Sequence, residues 1–363
     1  MKIGILTIYR SGNYGATLQA YATKQAINEN GFGEAEIIPY CSDAIKQKID
    51  KRFIKKVGLF HTAVACVEKL YYHPRMKKVG AFINEMAGEK DLSREELPDL
   101  NEKYDIFLSG SDQIWNPQLQ LGDTSYLLDF VTDDRKKRSY ASSFGVKKIP
   151  EEYLEDYRRL LSAYERITVR EQAGAELVEE LLGRSAVLVI DPALLLTPEQ
   201  WNAKLPERQW KKKYVFAYQM AHSPLIARAV AKGRKSLGVK ALYVPFPIMG
   251  ACRCRPKLNL SSLEWVAAIR DSECVITDSF HGVVFAILFK KKFYYMITSD
   301  TVRGRLSRLE TLLGSLGIEN RLVSDVSQCD FNESIDYDRV HALLDQYRDR
   351  SLQILKELVN HEN

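Results

Sequence analysis

The stretch "CVITDSFHGVVFAILFKKKFYYMIT", residues 274–298, decides the fold. Cys274 to Thr277 reads as a short buried strand. Gly282 to Phe289 is too apolar for a surface helix and reads as a buried one, and "KFYYMIT" (292–298) is a strand again. Strand, helix and strand in close succession belong to a parallel α/β sheet. One ionisable ring sits at the seam. Asp278 and Ser279 are both good N-caps, so His281 falls in the first helical turn, where backbone N–H groups and the positive helix end favour anions. The plain reading of His281 is a core histidine satisfied by a carbonyl. Its place at a helix start after a buried strand favours the functional reading, an imidazole that donates or accepts a proton near neutral pH.

The same alternation extends in both directions. In the first half, "KIGILTI" (2–8) is a strand, "SGNYGA" (11–16) a tight loop, "TLQAYATKQAINENG" (17–31) a helix and "EAEIIPY" (34–40) a strand. Residues 42–97 read as helical and basic, then mixed in charge. Strands follow at 104–110, 137–144, 166–170 and 185–197, with helices at 151–165 and over "EQAGAELVEELLG". The proline-bearing, basic stretch 198–213 reads as an interdomain linker with short helical pieces. Beyond it the alternation restarts with strands at 214–220, 239–246, 274–277 and 292–298, and helices at 224–237, 260–270, after His281 and at 303–316. The expected fold is therefore α/β, with two doubly wound Rossmann-like domains facing across a cleft, the GT-B architecture. The predicted division is 1–205, 206–330, and a helix within 331–363 that crosses back onto the first domain. In that helix Val340, Leu343, Leu344, Tyr347, Leu355 and Leu358 recur at helical spacing.

Composition is ordinary for a globular chain, with 45% hydrophobic and 27% charged residues, enough for two cores in 363 residues. A net charge of +5 leans towards acidic ligands, but no basic stripe interleaved with aromatics points to nucleic acid. The N-terminus "MKIGILTIYR" is too short in apolar residues for a signal peptide, and no run approaches a membrane span. Six cysteines without framework spacing, and one "CRC" (252–254) without a second pair, predict free thiols in a reducing cytoplasm and no metal site.

Ligands of open α/β sheets bind beyond the carboxyl ends of the strands, and several loops lie there. In "RSGNYGA" the glycines are not spaced as a dinucleotide fingerprint and no Walker lysine follows. The loop is either a turn needing positive φ or a place where Asn13 and Tyr14 project polar groups. In "SGSDQIWNP" (109–117), Ser111 joins a nest of backbone N–H groups, Asp112 reads as the cap of a short helix, and Gln113 and Trp115 are candidates for gripping a sugar. Arg170, ending the strand "RITVR", is either half of a surface ion pair or aimed into the cleft. Arg305 and Arg308 share one helical face opposite Leu306, Leu309, Leu313 and Leu316. They are either a solvated basic face or anion-binding forks. The segment "AIKQKIDKRFIKKVGLF" (44–60) is either a helix packed on its own domain or a peripheral contact with an anionic membrane surface, which would place the protein at the inner face of the membrane.

Taken together, "GILTIYRSGNYGATLQAYA", "DIFLSGSDQIWN", "ITVREQAG", "VIDPALLL" and "VITDSFHGVVFAI", in that order, resemble the polysaccharide pyruvyl transferase family from residue 3 to about 322. The resemblance implies a GT-B-like fold and transfer of pyruvate from phosphoenolpyruvate to a hexose of a glycan or lipid-linked oligosaccharide, as a ketal with release of phosphate. The family histidine falls on His281. Some members carry Arg-x-His there, whereas this chain has Ser279 in place of that arginine, so Arg303 or Arg305 is expected to hold the donor carboxylate. The donor side is then Ser279, Arg303, Arg305, Arg308 and Arg170. The acceptor side is Asn13, Tyr14, Ser111, Asp112, Gln113 and Trp115. The partners are phosphoenolpyruvate and a glycan acceptor, with no cofactor and no metal. The alternatives are a GT-B glycosyltransferase using a nucleotide sugar, and a non-catalytic glycan-assembly protein.

Overall fold

A computed structural model of the protein describes residues 1–47, 62–221, 223–245, 256–257, 259–298 and 306–360. The chain divides into two compact units, the first made of Met1–Gly58, Gly80–Leu196 and Asp345–Asn363, the second of Leu59–Val79 and Thr197–Leu344.

The first unit is built on a parallel sheet of β1 (Lys2–Leu6), β2 (Glu34–Ile37), β3 (Ile106–Ser109) and β4 (Lys137–Ser139), in the order β2-β1-β3-β4. Ile3 pairs with Ala35 on one side and Ile106 on the other. β4 is shorter than expected because Ala141 turns to φ +53°. The ladder resumes at Ser142, bridged to Val169 of β5 (Thr168–Val169), which pairs in parallel with β6 (Val187–Leu188). The helix predicted from residue 17 starts earlier, at Tyr14, and runs to Glu29, because the Asn13 side chain accepts from Gly15 N at 3.0 Å and caps it. Within the helical expectation over 42–97, residues 43–47 are helical and Thr62–Ala87 forms a long helix with Pro74 inside it, followed by turns.

The second unit carries β7 (Tyr214–Gln219), β8 (Lys240–Pro245), β9 (Cys274–Thr277), β10 (Lys292–Met296) and β11 (Leu322–Val323), all parallel, in the order β11-β10-β9-β7-β8. The stretch from 198, expected to be a linker with short helical pieces, opens with a short capped helix, Pro198–Asn202. Thr197 and Gln200 form a capping box, and Trp201 is buried 5.1 Å from the Phe285 ring. A large aromatic so placed ties that segment to the unit it enters. The helix Phe280–Leu288 keeps His281 through Leu288 out of water, which accounts for its unbroken apolar run. The last long helix, Tyr337–Asn360, starts in the second unit and from Asp345 belongs to the first. There Arg348 Nε donates to Leu194 O at 2.8 Å, and Arg138 Nε donates to Leu358 O at 2.7 Å.

Candidate functional site

Numbered from its own first strand, each sheet has the order 2-1-3-4 onwards, so each reverses direction between its first and third strands. In the second unit that reversal lies between β7 and β9. A crevice at such a switch point, beyond the strand carboxyl ends, is where doubly wound sheets bind ligands. The residues that end β7 and β9 therefore define the candidate site, and His281 follows β9 directly.

The local structure there is closely held. Ser279 is the N-cap of the Phe280–Leu288 helix, its hydroxyl accepting from Gly282 N at 3.4 Å, and its own N–H donates to Thr277 Oγ1 at 3.0 Å. Gly282 allows the helix to start this close to β9: a Cβ there would lie 2.9 Å from both Thr277 Oγ1 and Thr277 Cγ2. His281 is thus in the first turn and only 5% exposed. Its imidazole meets the Phe280 ring edge-on at 5.1 Å between centroids, and the Arg308 guanidinium lies 5.3 Å from the centroid of that same ring. Phe280 thus brings Arg308 to the neighbourhood of His281, although 27 positions separate them in the chain. Arg303 and Arg305 fall outside the described residues.

Asp278 has a part that its N-cap chemistry did not suggest. Its carboxylate reaches across the switch point and accepts from two successive backbone N–H groups at the end of β7, Met220 at 2.6 Å and Ala221 at 2.9 Å. Burial pushes its carboxyl up from 3.8 to about 6, against the lowering effect of those two hydrogen bonds. The clue available in the sequence was its place directly after a buried strand. The donors it meets come from a distant strand and were not legible.

The first unit has its switch point between β1 and β3. Thr7 Oγ1 donates to Ser111 O at 2.8 Å, and Gln19 Nε2 donates to Thr7 Oγ1 at 2.9 Å. Beside this crossing lies a buried charge cluster. Arg170 donates from Nη1 to Asp191 Oδ2 at 2.6 Å and to Ser111 Oγ at 3.4 Å, and from Nη2 to Asp112 Oδ1 at 3.0 Å. Glu171, 3.9 Å from Arg170 Nε, also accepts from Ser143 Oγ at 2.7 Å and Phe144 N at 3.2 Å. Arg170 and Asp191 side chains are 1% and 2% exposed, whereas Asp112 reaches 16%.

Several expectations are corrected by these placements. Arg170 is not aimed into open space; its guanidinium is sunk between carboxylates, because an arginine at the end of a buried strand must be paired. Asp112 caps no helix. Asn116 caps Pro117–Gln120, and Asp112 stands at φ +72° facing Arg170. Trp115 presents no face for a sugar. It is fully buried, 5.3 Å from Phe144 and 5.8 Å from Tyr164, with its indole N–H donating to Ser109 Oγ and Tyr126 O, each at 3.1 Å. Tyr14 and Ser111 are buried as well, and the Asn13 side chain serves the helix cap. Gln113 is half-buried over Gly145 and accepts from Asn116 Nδ2 at 2.8 Å. Asp112 and Gln113 are the members of the "SDQIW" stretch that reach the surface in part.

Among the described residues no helix is long and apolar enough to cross a membrane. Most of the basic segment 44–60 lies outside the described residues.

The fold and these two edges define a class, an α/β protein whose two larger sheets are parallel and gather polar side chains at their switch points. The chain belongs to the polysaccharide pyruvyl transferase family, whose model matches residues 13–300. Among curated proteins none matches. Similar solved structures include a UDP-GlcNAc 2-epimerase from Neisseria meningitidis bound to UDP-GlcNAc (10% identity, TM-score 0.47, covering 100% of this chain and 95% of that one). They also include an S. aureus MnaA–UDP co-structure (12% identity, TM-score 0.47, covering 98% and 91%). A third is the E. coli heptosyltransferase WaaC with ADP (12% identity, TM-score 0.37, covering 92% and 97%). With TM-scores below 0.5, these likenesses carry no argument about this chain.

Proposed function

We propose that the protein transfers pyruvate from phosphoenolpyruvate to a hexose of a glycan or lipid-linked oligosaccharide, forming a ketal and releasing phosphate. The observation that carries this reading is His281, held in the first turn of a buried helix at the switch point of the second sheet, in a chain of the pyruvyl transferase family. The helix end and Arg308 supply a positive field suited to a donor that carries both a phosphate and a carboxylate. Arg303 and Arg305 are assigned the donor carboxylate with Arg308, in the place of the arginine that Ser279 replaces.

In this reading His281 delivers a proton to C3 of phosphoenolpyruvate, which makes C2 electrophilic. One sugar hydroxyl adds at C2 and loses its proton, phosphate departs with the C2–O bond, and a second hydroxyl closes the ketal. The balance is one phosphoenolpyruvate and one diol giving one ketal and one inorganic phosphate, with no redox change. Asp112 and Gln113, at the edge of the first sheet, are assigned to the acceptor hydroxyls.

The test is phosphate release from phosphoenolpyruvate over a panel of lipid-linked and polymeric glycans, with mass spectrometry of the glycan. Turnover is expected with at least one acceptor, and His281→Ala should lower it by about 10² to 10⁴-fold, the range of general acid catalysis, while the protein stays folded. Thermal stabilisation by a uridine or guanosine diphosphate sugar, with none by phosphoenolpyruvate, would instead make the protein a glycosyltransferase. Binding of phosphoenolpyruvate without phosphate release on any acceptor would make it a non-catalytic assembly protein.

A further inference from the structure

The structure assigns to Asp278 the task of positioning His281, by clipping the start of its helix to the end of β7 across the switch point. This rests on the reading of His281 given above, and the contacts that carry it all lie within the second unit. Asp278 stands between β9 and the helix, three residues before His281. Both of its oxygens are engaged by neighbouring donors of one segment: Oδ1 accepts from Met220 N and Oδ2 from Ala221 N. A carboxylate that receives two successive N–H groups fixes the separation and orientation of the chains on either side. Asparagine, of the same shape, offers one acceptor oxygen and turns an N–H₂ towards the other N–H donor.

The receiving segment is itself held from its far side. Tyr243 of β8 donates its hydroxyl to Gln219 Oε1 at 2.6 Å, and Gln219 Nε2 donates to Ala221 O at 2.6 Å. β8, β7 and β9 are thereby joined near their carboxyl ends in one line, by a side-chain pair on one side and a side chain on backbone on the other, with His281 at its end. On the near side, Thr277 takes the Ser279 N–H and sits against Gly282. The helix therefore has its strand fixed by Thr277 and its lateral place fixed by Asp278. Sheet pairing between β7 and β9 ends at Tyr218 and Thr277, and Asp278 continues the tie beyond that register. A reacting geometry is sensitive to displacements of about 1 Å, each able to cost about a hundredfold in rate.

The experiment uses the full chain with Asp278→Asn and reads two quantities. The first is turnover of phosphoenolpyruvate per folded molecule. The second is the rate at which diethylpyrocarbonate acylates His281, followed by peptide mass spectrometry, with His341 as an internal standard because its ring contacts Ile287 O at the far end of the His281 helix, away from the Asp278 clip. The expected result is a fall in kcat of about tenfold or more with a smaller change in KM for phosphoenolpyruvate. His281, 5% exposed in the native chain, should become acylated several times faster relative to His341. An unchanged ratio of the two histidine rates overturns the assignment, as does acceleration of both together, which would mean general loosening. If the native protein turns over no phosphoenolpyruvate, the histidine ratio still decides this point while the proposed activity fails separately. If Asp278→Asn does not fold, Tyr243→Phe loosens the same segment from the far side. A smaller acceleration at His281 is then expected, and no change overturns the assignment.

Discussion

Replacing Arg170 by methionine separates a structural arginine from one that holds a ligand. The side chain is 1% exposed and is bonded to Asp191 at 2.6 Å and Asp112 at 3.0 Å. Removing it leaves the Asp191 carboxylate, itself 2% exposed, without its guanidinium, though Ala193 N still donates to Oδ1. Breaking a buried pair by deleting one partner costs about 3 to 5 kcal/mol, most of it from the charge left behind. Asp112, at 16% exposure, can rehydrate and should add little. Glu171 keeps Ser143 Oγ and Phe144 N as donors, so the larger part of the cost should be traceable to Asp191. In the double variant Arg170→Met/Asp191→Asn the cap to Ala193 keeps an acceptor while the stranded charge is gone, so about half of the lost stability should return. Urea unfolding monitored at Trp115, the tryptophan that lies in the first unit, measures both variants. A loss below about 1 kcal/mol for Arg170→Met, with phosphoenolpyruvate affinity falling sharply, would refute the structural assignment and restore the donor-binding one.

Two further outcomes are expected. Because the Asp278 carboxyl is raised from 3.8 to about 6, the folded state holds a proton there that the unfolded chain has already released. That contribution is fully present below pH ~4 and lost as pH rises through ~6; at about 1.4 kcal/mol per unit it amounts to at most ~3 kcal/mol. Melting curves of native protein and Asp278→Asn between pH 4 and 7 should show the native protein losing stability relative to the variant over that interval and not above it. Parallel curves would mean that the carboxylate is ionised throughout. Gly282→Ala should destabilise the second unit, since the added Cβ would lie 2.9 Å from Thr277. Overpacking of this kind costs about 1 to 3 kcal/mol, more than the ~1 kcal/mol that alanine gains over glycine in a helix. Adding Thr277→Ser, which removes Cγ2, should recover part of the loss; a variant more stable than the native chain would show that the helix can move away from β9.

The alternation of strand and helix was legible in residues 274–298 and in most of the chain, because a buried strand and a buried helix bring their apolar residues with recognisable length and punctuation. "CVIT", the cap at Ser279 and the helix carrying His281 needed only local chemistry: an oxygen side chain before an apolar run satisfies orphan N–H groups wherever it occurs. Asn13 as the start of the first helix was missed by the same logic applied too late, since Tyr14 and Gly15 looked like loop residues until the cap was seen. The short β11 escaped because a strand of two residues has no periodicity to read, and β4 was expected to run beyond the three residues it spans.

Side-chain fate was decided by tertiary structure. Trp115 and Gln113 stand two positions apart in one polar-looking loop, yet one is sealed between Phe144 and Tyr164 and the other partly reaches water. Nothing in "SDQIW" distinguishes them, because the surface that covers the indole comes from residues far along the chain. Arg170 was ambiguous for the same reason: Asp191 is brought to it by the pairing of β6 with β5, and Asp112 by the bridges from Asp112 to Ser142 and from Ser142 to Val169. Asp278 shows the limit most sharply. As a residue in the sequence it was a helix cap, and only the pairing of β7 with β9 sets its carboxylate against two backbone N–H groups. Local propensity depends on neighbours a few residues away and survives in a string of letters. Burial, ion pairing and the strand order that creates a switch point depend on which distant segments meet, and that is settled by how the whole chain buries its apolar surface.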